Sequence, residues 1–342
     1  MLDRLPVPIV LAPMAGGPST PALAAAVSQA GGLGFVAGAL IPPERLAEDI
    51  AATRALTDRP FGVNVFVPSG APAAPGALDD YARRLTPLAR GAGIELGTPR
   101  HHDDAYADKL TVLREDPVAV VSFTFGVPAP DVLDALRAAG SAIWVTVTDP
   151  EEAVVAVRAG ADALVVQGAE AGGHRGAFTD RPDAVDYGLL ALLQLVAAAT
   201  PDVALVATGG LATRSAVRAV LAAGAAAAQV GTAFMLCPEA GTSPHHRAAI
   251  ADPARTTGLT RAFSGRLARG IVNRLQREHS AAAPIAYPEV VTMLAPLRAP
   301  GVATGDEDLT NLWAGEAHAL AQARPAAEVV AALDPGAERA AD

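Results

Sequence analysis

The stretch PEEAVVAVRAGADALVVQG, residues 150–168, contains the unit from which we predict the fold. Its first part, 150–160, begins at a proline and ends at a glycine, as capped helices do. Its second part, 163–168, is a continuous apolar run, which is typical of a strand buried on both faces of a parallel sheet. A helix that leads directly into a buried strand predicts a repeating βα unit.

The same unit recurs along the chain. The phrases RAAG at 137–140 and LAAG at 221–224 also end helical stretches and precede apolar runs. Eight βα units predict an α/β fold, a (β/α)8 TIM barrel, and the count of eight favours it over the alternative of an open doubly wound sheet. The eight predicted strands are 8–14, 32–38, 61–67, 119–125, 142–147, 163–168, 204–210 and 227–234.

One segment does not follow the repeat. Residues 235–284 come after the eighth predicted strand, contain many arginines and are predicted to form a small helical second domain. We therefore predict a barrel unit made of 1–234 and 285–342, with 235–284 inserted as a helical cap or substrate domain. The final barrel helix is expected near 285–298 or 308–322.

Charge and cysteine content exclude several classes of protein. The chain of 342 residues has a net charge of −10, which argues against nucleic-acid binding because phosphate neutralisation needs a basic face. Its single cysteine, Cys237, forms neither an intrachain disulfide nor a zinc cluster. Prolines interrupt the apolar N-terminus, and no apolar run is long enough for a membrane span. We expect a cytoplasmic protein without nucleic-acid or membrane partners, and homo-oligomer formation stays open.

Glycines at two strand ends predict a phosphate site. The active sites of such barrels lie at the carboxyl ends of the strands. The seventh predicted strand ends on Gly209 and Gly210, and Gly231 and Thr232 lie near the end of the eighth. Bare glycines let backbone N–H groups approach an anion, whereas the alternative is that they only form tight turns. Their occurrence at both of these strands favours the phosphate site.

His174 is distinguished from the other histidines by its position. It follows the sixth predicted strand and lies between Gly173 and the pair Arg175–Gly176. An imidazole there can exchange a proton near neutral pH or bind an anion. We expect no metal site, and the His101–Asp104 cluster is the weak alternative.

Several stretches together resemble the nitronate monooxygenase family, whose members are FMN-binding (β/α)8 barrels with a small helical second domain. The resemblance extends over about residues 8–320. It is carried by PIVLAPMAGG at 8–17, NVF at 64–66, VQGAEAGGHRG at 166–176, the Gly209–Gly210 turn and QVGTAF at 229–234.

The resemblance implies a flavin site and a catalytic residue. The FMN phosphate is expected on the two glycine turns, Asn64 and Gln167 are expected to hydrogen-bond the flavin ring, and His174 is expected beside the substrate. The cofactor-binding residues implied are Ala12, Pro13, Met14, Asn64, Gln167, Gly172, Gly173, Gly209, Gly210, Gln229, Val230, Gly231 and Thr232.

The resemblance also implies an activity. Members oxidise alkyl nitronates, here with propionate 3-nitronate as the expected substrate, using O2 and flavin without NAD(P)H. This sequence departs from the family at Thr124, where a histidine is expected, and at Glu316, where a glutamine is expected. Arg175 either adds positive potential for an anionic substrate or forms a surface ion pair.

Two other kinds of function remain as alternatives. An NAD(P)H-dependent flavin reductase of the same fold, either an enoyl-acyl-carrier-protein reductase or a quinone reductase, has a similar glycine-histidine loop. Gln167 favours the monooxygenase, because the sixth strand of the enoyl reductases tends to end on Glu-Gly. A flavin-binding protein without turnover is the third interpretation, and the placing of His174 argues against it.

Overall fold

Eight parallel strands form a nearly closed barrel in the computed structural model, which describes residues 2–68, 73–74 and 76–336. The barrel order is β1-β9-β8-β6-β5-β4-β3-β2, and hydrogen bonds of 2.9 Å from Leu33 N to Ile9 O and from Leu11 N to Leu33 O join its ends. The predicted barrel is therefore confirmed. The strands are β1 (Ile9–Leu11), β2 (Gly34–Ala37), β3 (Phe61–Phe66), β4 (Val120–Thr124), β5 (Ala142–Val147), β6 (Ala163–Gln167), β7 (Gly173–His174), β8 (Ala204–Thr208), β9 (Ala227–Val230), β10 (Thr257–Thr260) and β11 (Ala268–Ile271).

Helices alternate with the barrel strands, and several begin at a capping side chain. Thr20, Asp149 and Thr213 each accept a hydrogen bond from the backbone N–H three residues later, which satisfies a donor that the helix itself cannot. Among the described residues, no helix has both the length and the apolar character that a membrane span requires. The helices are α1 (Pro21–Gln29), α2 (Pro43–Leu56), α3 (Ala77–Gly91), α4 (Tyr106–Glu115), α5 (Pro130–Ala138), α6 (Pro150–Arg158), α7 (Leu189–Ala199), α8 (Arg214–Ala222), α9 (Pro244–Ala251), α10 (Arg274–His279), α11 (Glu289–Thr304) and α12 (Ala326–Leu333).

The last barrel helix lies later in the chain than either predicted stretch. Helix α12 packs against α1 and α8, as the eighth helix of a barrel does. Helix α11, which covers most of the first predicted stretch, instead packs against α3 in a separate apolar cluster that includes Tyr81, Phe263 and Met293. The division of the chain at 234 and 285 stays a prediction.

The segment 235–284 contains strands as well as helices α9 and α10. Strands β10 and β11 pair antiparallel, and β11 also pairs antiparallel with β7. Since β7 belongs to the loop after β6, this three-stranded sheet joins a barrel loop to the segment 235–284.

The side chains inside the barrel form two layers. The layer near the amino ends of the strands, called the lower layer, is apolar, and the upper layer near their carboxyl ends is largely polar. Phe35 and Trp144 lie in the lower layer with their ring centroids 5.8 Å apart, among other buried apolar side chains. Successive side chains of a strand face opposite sides, so the inward face recurs two residues later. At that next inward level, toward the carboxyl ends, six of the eight barrel strands carry a polar side chain: Asn64, Ser122, Thr146, Gln167, Thr208 and Gln229.

Candidate active site

The polar layer opens into a cavity of about 580 Å³ at the carboxyl ends of the strands. Every residue that the sequence indicated for catalysis or cofactor binding lines this cavity, so the structure brings all of them together. They are Ala12, Pro13, Met14, Asn64, Gln167, Gly172, Gly173, His174, Gly209, Gly210, Gln229, Val230, Gly231 and Thr232.

Strand β4 orients the side chain of Asn64. Its Nδ2 lies 2.9 Å from the hydroxyl oxygen of Ser122, 3.1 Å from the carbonyl oxygen of Ser122 and 3.1 Å from Oγ1 of Thr124. Thr124 occupies the position where the resemblance leads us to expect a histidine. The hydroxyl at this position therefore supports Asn64 from the neighbouring strand.

The side chain of Gln167 holds the loop that carries His174. Its Nε2 donates to the carbonyl oxygen of His174 at 3.1 Å, and its Oε1 accepts from Gly176 N at 2.8 Å. The sequence suggested only a contact with flavin for this residue. The structure shows a second reason for a polar side chain at the end of β6, because the same amide fixes the path of the loop.

The two adjacent glycines of the loop serve different purposes. A Cβ on Gly172 would lie 2.5 Å from backbone atoms of Ala314 and Gly315, so this position requires a close approach of two chain segments. Gly173 has φ of +78°, a conformation that side chains disfavour. Together they let the chain pass beneath 314–315 and enter β7.

His174 is held by both the backbone and the side chain. The backbone of His174 pairs with that of Ala268 in the β7–β11 ladder, and Nε2 of its side chain lies 2.9 Å from Oγ of Ser264. Three aromatic rings surround the imidazole at centroid distances of 5.5 to 6.0 Å, and these belong to Phe125, Tyr287 and Trp313.

The imidazole of His174 is neutral at neutral pH. Its enclosure lowers the pKa from 6.5 to about 3, because burial disfavours the charged form. The positive charges of Arg266 and Arg298 lower it further. These two arginines and Ser264 were not identified from the sequence.

Arg266 and Arg298 reach the site from the part of the chain that follows β9. The guanidinium of Arg266 lies 3.7 Å above the ring of Phe125 and donates to the carbonyl oxygen of Ala177, and burial lowers its pKa to about 10. Arg298 lines the cavity itself. The richness of this segment in arginine was visible in the sequence, but nothing in their spacing indicated which of them face the cavity.

Arg175 does not line the cavity. Its buried guanidinium donates to the carbonyl oxygens of Gln167 and Thr148, and its Nε lies 3.8 Å from a carboxylate oxygen of Asp186. Of the two roles considered from the sequence, the contacts favour an ion pair with a structural purpose.

Glu316, the second departure from the family pattern, also points away from the cavity. Its carboxylate pairs with Nη1 of Arg269 at 2.9 Å, and Nε of Arg269 donates to the carbonyl oxygen of Ala169. Through Arg269 of strand β11, the carboxylate of Glu316 is therefore linked to the loop after β6.

The glycine turns at β8 and β9 have the features of an anion site. Gly209 and Gly210 have φ angles of +121° and +67°. Within the described part of the chain, no acceptor is found for the backbone N–H groups of Gly209, Gly210 or Gly231. Oγ1 of Thr232 accepts from Gly315 N at 3.0 Å, so its hydroxyl proton can be donated to a ligand.

Comparisons with known proteins agree with this geometry. Residues 1–336 match the family model described as nitronate monooxygenase. The chain is 42% identical over 338 residues to a nitronate monooxygenase of Pseudomonas aeruginosa, with 95% of each chain covered. It is 40% identical to a nitronate monooxygenase of Paraburkholderia phytofirmans, with 96% of this chain and 91% of that one covered.

Solved structures show the same relationship. A structure described as nitroalkane oxidase from Streptomyces ansochromogenes superposes with a TM-score of 0.95 at 47% identity, covering 100% of this chain and 99% of that one. FabK from Thermotoga maritima is more distant, with a TM-score of 0.76 at 26% identity and coverage of 99% and 96%. The chain therefore belongs to the nitronate monooxygenase family of oxidoreductases.

Proposed function

We propose that the protein oxidises alkyl nitronates with O2, using bound FMN and no NAD(P)H, and that propionate 3-nitronate is a substrate. The products expected are a carbonyl compound and nitrogen oxyanions. The observation that carries the proposal is a neutral histidine at the cavity, in the field of two guanidinium groups.

The residues present fit a flavin mononucleotide. A cavity of about 580 Å³ lies within the range of roughly 300–1,000 Å³ that small-molecule and cofactor sites occupy. The turns at Gly209–Gly210 and Gly231–Thr232 offer backbone donors to a phosphate, while Asn64 and Gln167 offer amides to a polar ring edge. Bound FMN supplies the electron acceptor for the substrate and the centre that reacts with O2.

The charges around His174 suit an anionic substrate. A nitronate carries a negative charge, and Arg266 and Arg298 provide positive potential beside His174. An imidazole whose pKa is about 3 is a weak base. This favours a substrate that arrives already deprotonated, the nitronate, over the neutral nitroalkane.

His174 then acts by orienting the substrate. A neutral imidazole has one N–H, and that group can donate to a nitronate oxygen without a competing charge. The rings of Phe125, Tyr287 and Trp313 restrict the position of the imidazole.

Oxygen uptake tests the proposal. FMN-loaded protein is mixed with propionate 3-nitronate in the absence of pyridine nucleotide, and rapid uptake is expected. A parallel anaerobic sample receives NADH or NADPH, and no bleaching of the flavin is expected. The absence of uptake together with bleaching by either nucleotide would instead identify a flavin reductase.

A further inference from the structure

The wall of the cavity that holds His174 contains no carboxylate among the residues that the structure describes. The whole chain has 36 aspartate and glutamate residues against 26 lysine and arginine residues, so this absence is not a matter of composition. Two arginines, Arg266 and Arg298, act on the histidine. Because the wall itself carries no negative charge, an acid placed just behind it has a strong influence on the potential inside.

Asp180 is such an acid, and it lies in the loop that follows β7. Its side chain is only 8% exposed, and its Oδ2 accepts a hydrogen bond from Leu267 N at 3.1 Å. Leu267 precedes Ala268, whose backbone pairs with that of His174, and its carbonyl oxygen accepts from Arg175 N at 2.7 Å. The carboxylate of Asp180 is therefore attached to the backbone that flanks His174.

The charge of Asp180 opposes the charges of the arginines. Burial and the charges of Arg266 and Arg298 lower the pKa of His174, and the negative charge of Asp180 acts in the opposite direction. Burial also lowers the pKa of Arg266, and Asp180 is the acid that counteracts this effect most. An acid that acts on both groups reduces the positive potential that an anion beside the histidine experiences.

Asp180 also has a cationic partner of its own, Arg261. Nε and Nη2 of Arg261 donate to the two carboxylate oxygens at 2.9 and 2.6 Å, which is the two-point geometry of a strong ion pair. Asp180 is among the charges that act on the pKa of His174, and Arg261 is not. The pair therefore presents its negative end to the histidine.

We propose that Asp180 is a counter-charge that weakens anion binding in the cavity, so that the nitrogen oxyanion formed by the reaction can leave. This inference rests on the proposed function, in which substrate and product are both anions. Arginines that attract a nitronate also retain an oxyanion product, and tighter binding of both does not accelerate the chemical step. A fixed negative charge behind the wall lowers both affinities without touching the substrate.

The affinity for nitrite in FMN-loaded protein tests the inference. Nitrite is titrated while the flavin absorbance is followed, and its dissociation constant is compared in the wild type and in Asp180→Asn. Asparagine keeps an acceptor for Leu267 N and removes the charge. We expect the dissociation constant to fall by about 3- to 10-fold, as for one unit charge acting across several ångströms of protein. Equal or weaker nitrite binding in Asp180→Asn would overturn the inference.

Three further variants separate the charge of Asp180 from its structural role. Arg261→Gln breaks the same ion pair but leaves the carboxylate without its cation, so nitrite binding is expected to weaken; tighter binding would contradict the inference on its own. Asp180→Glu disturbs the fit and keeps the charge, and is expected not to tighten nitrite binding. Asp116→Asn neutralises the acid of an exposed ion pair with Arg54 outside the cavity, and is expected to leave nitrite binding unchanged.

Steady-state kinetics separate this inference from the proposed function. In Asp180→Asn, KM for propionate 3-nitronate and the inhibition constant of nitrite are expected to fall together without a rise in kcat, whereas damage to the loop would raise KM. Nitronate oxidation with an unchanged affinity for nitrite in Asp180→Asn would leave the proposed function standing and exclude the counter-charge. Tighter nitrite binding in a protein that oxidises no nitronate would support the counter-charge and overturn the proposed function.

Discussion

Nε2 of His174 and Oγ of Ser264 lie 2.9 Å apart, and the same Oγ lies 3.1 Å from the carbonyl oxygen of Arg266. The serine hydroxyl has one proton for these two acceptors. When Ser264 donates to Nε2, the imidazole carries its own proton on Nδ1, and Nδ1–H is then the donor available to a nitronate oxygen. When Ser264 instead donates to the carbonyl oxygen of Arg266, Nε2–H donates to Oγ, so the direction of the Ser264 hydroxyl and the tautomer of His174 are coupled.

Replacing Ser264 by alanine is expected to alter the tautomer of His174 and to reduce turnover. We expect kcat to fall by about 10- to 100-fold, the range found when the partner that orients a functional histidine is removed from metal sites. The nitrogen chemical shifts of His174 report the tautomer directly. Ser264→Thr keeps the hydroxyl and should restore both properties, whereas an unchanged tautomer in Ser264→Ala would contradict the assignment.

Replacing His174 by asparagine is expected to abolish most turnover without releasing the cofactor. A positioned proton donor or acceptor contributes about 10²- to 10⁴-fold to rate, so a loss of that size in kcat/KM is expected. Flavin absorbance of the gel-filtered variant measures cofactor retention. His102→Asn, which changes an exposed histidine outside the cavity, is the matched control. Retained turnover in a flavin-loaded His174→Asn enzyme would rule out the role of this residue.

Acid is expected to destabilise the fold through two histidines whose pKa values lie below the ordinary value, His174 and His246. Burial lowers the pKa of His246 from 6.5 to about 4 and that of His174 to about 3. As pH falls below 6.5 the unfolded chain takes up these protons before the folded protein does, so the free energy of unfolding decreases. Above pH 6.5 neither group contributes to the pH dependence.

Urea denaturation at a series of pH values between 7.5 and 4.5 measures this effect. Each histidine contributes a limiting slope of about 1.4 kcal/mol per pH unit. His246→Gln keeps a donor for the carbonyl oxygen of Trp313, with which Nε2 of His246 is paired at 3.0 Å, and should show a shallower slope. An identical slope in wild type and variant would show that His246 does not titrate as described.

Adding one methyl group at Gly172 is expected to disturb the loop. Its Cβ would lie 2.5 Å from the Ala314–Gly315 backbone, which cannot rotate away as a side chain can. We expect Gly172→Ala to lower the free energy of unfolding by about 1–3 kcal/mol, as overpacking does, and to weaken flavin retention. In Gly91→Ala the new methyl group meets no atom within 4 Å at the end of a helix, so that variant should be neutral or slightly stabilising. Equal stability of the two variants would contradict the close approach.

The barrel and its polar upper layer could be predicted because both depend on local sequence. Apolar runs of strand length following glycine-terminated helices identify the strands, and Asn64 within one run and Gln167 at the end of another are the polar positions that the sequence singled out. The position of the last barrel helix could not be predicted in this way. Helices α11 and α12 both have apolar residues to bury, and only their partners, α3 for one and α1 with α8 for the other, distinguish them.

The site residues that the sequence did not identify are far from His174 in sequence. Ser264 meets His174 across 90 positions of sequence, and Arg298 comes from a helix outside the barrel repeat. Strand β7 has two residues, one of them a glycine, so it has no strand signal of its own and exists through its pairing with β11. Such features become visible once the tertiary structure defines which segments are neighbours.

The pairing of β7 with β11 has a consequence for how this site can be altered. One residue of the ladder is His174, and its partner strand β11 lies about 95 positions later in the chain, between α9 and α10. If the glycine-histidine loop alone were grafted onto another barrel, it would lack strand β11, which pairs with its backbone. The loop after β6 and strand β11 therefore depend on each other, and any exchange between relatives has to include both strands of the ladder.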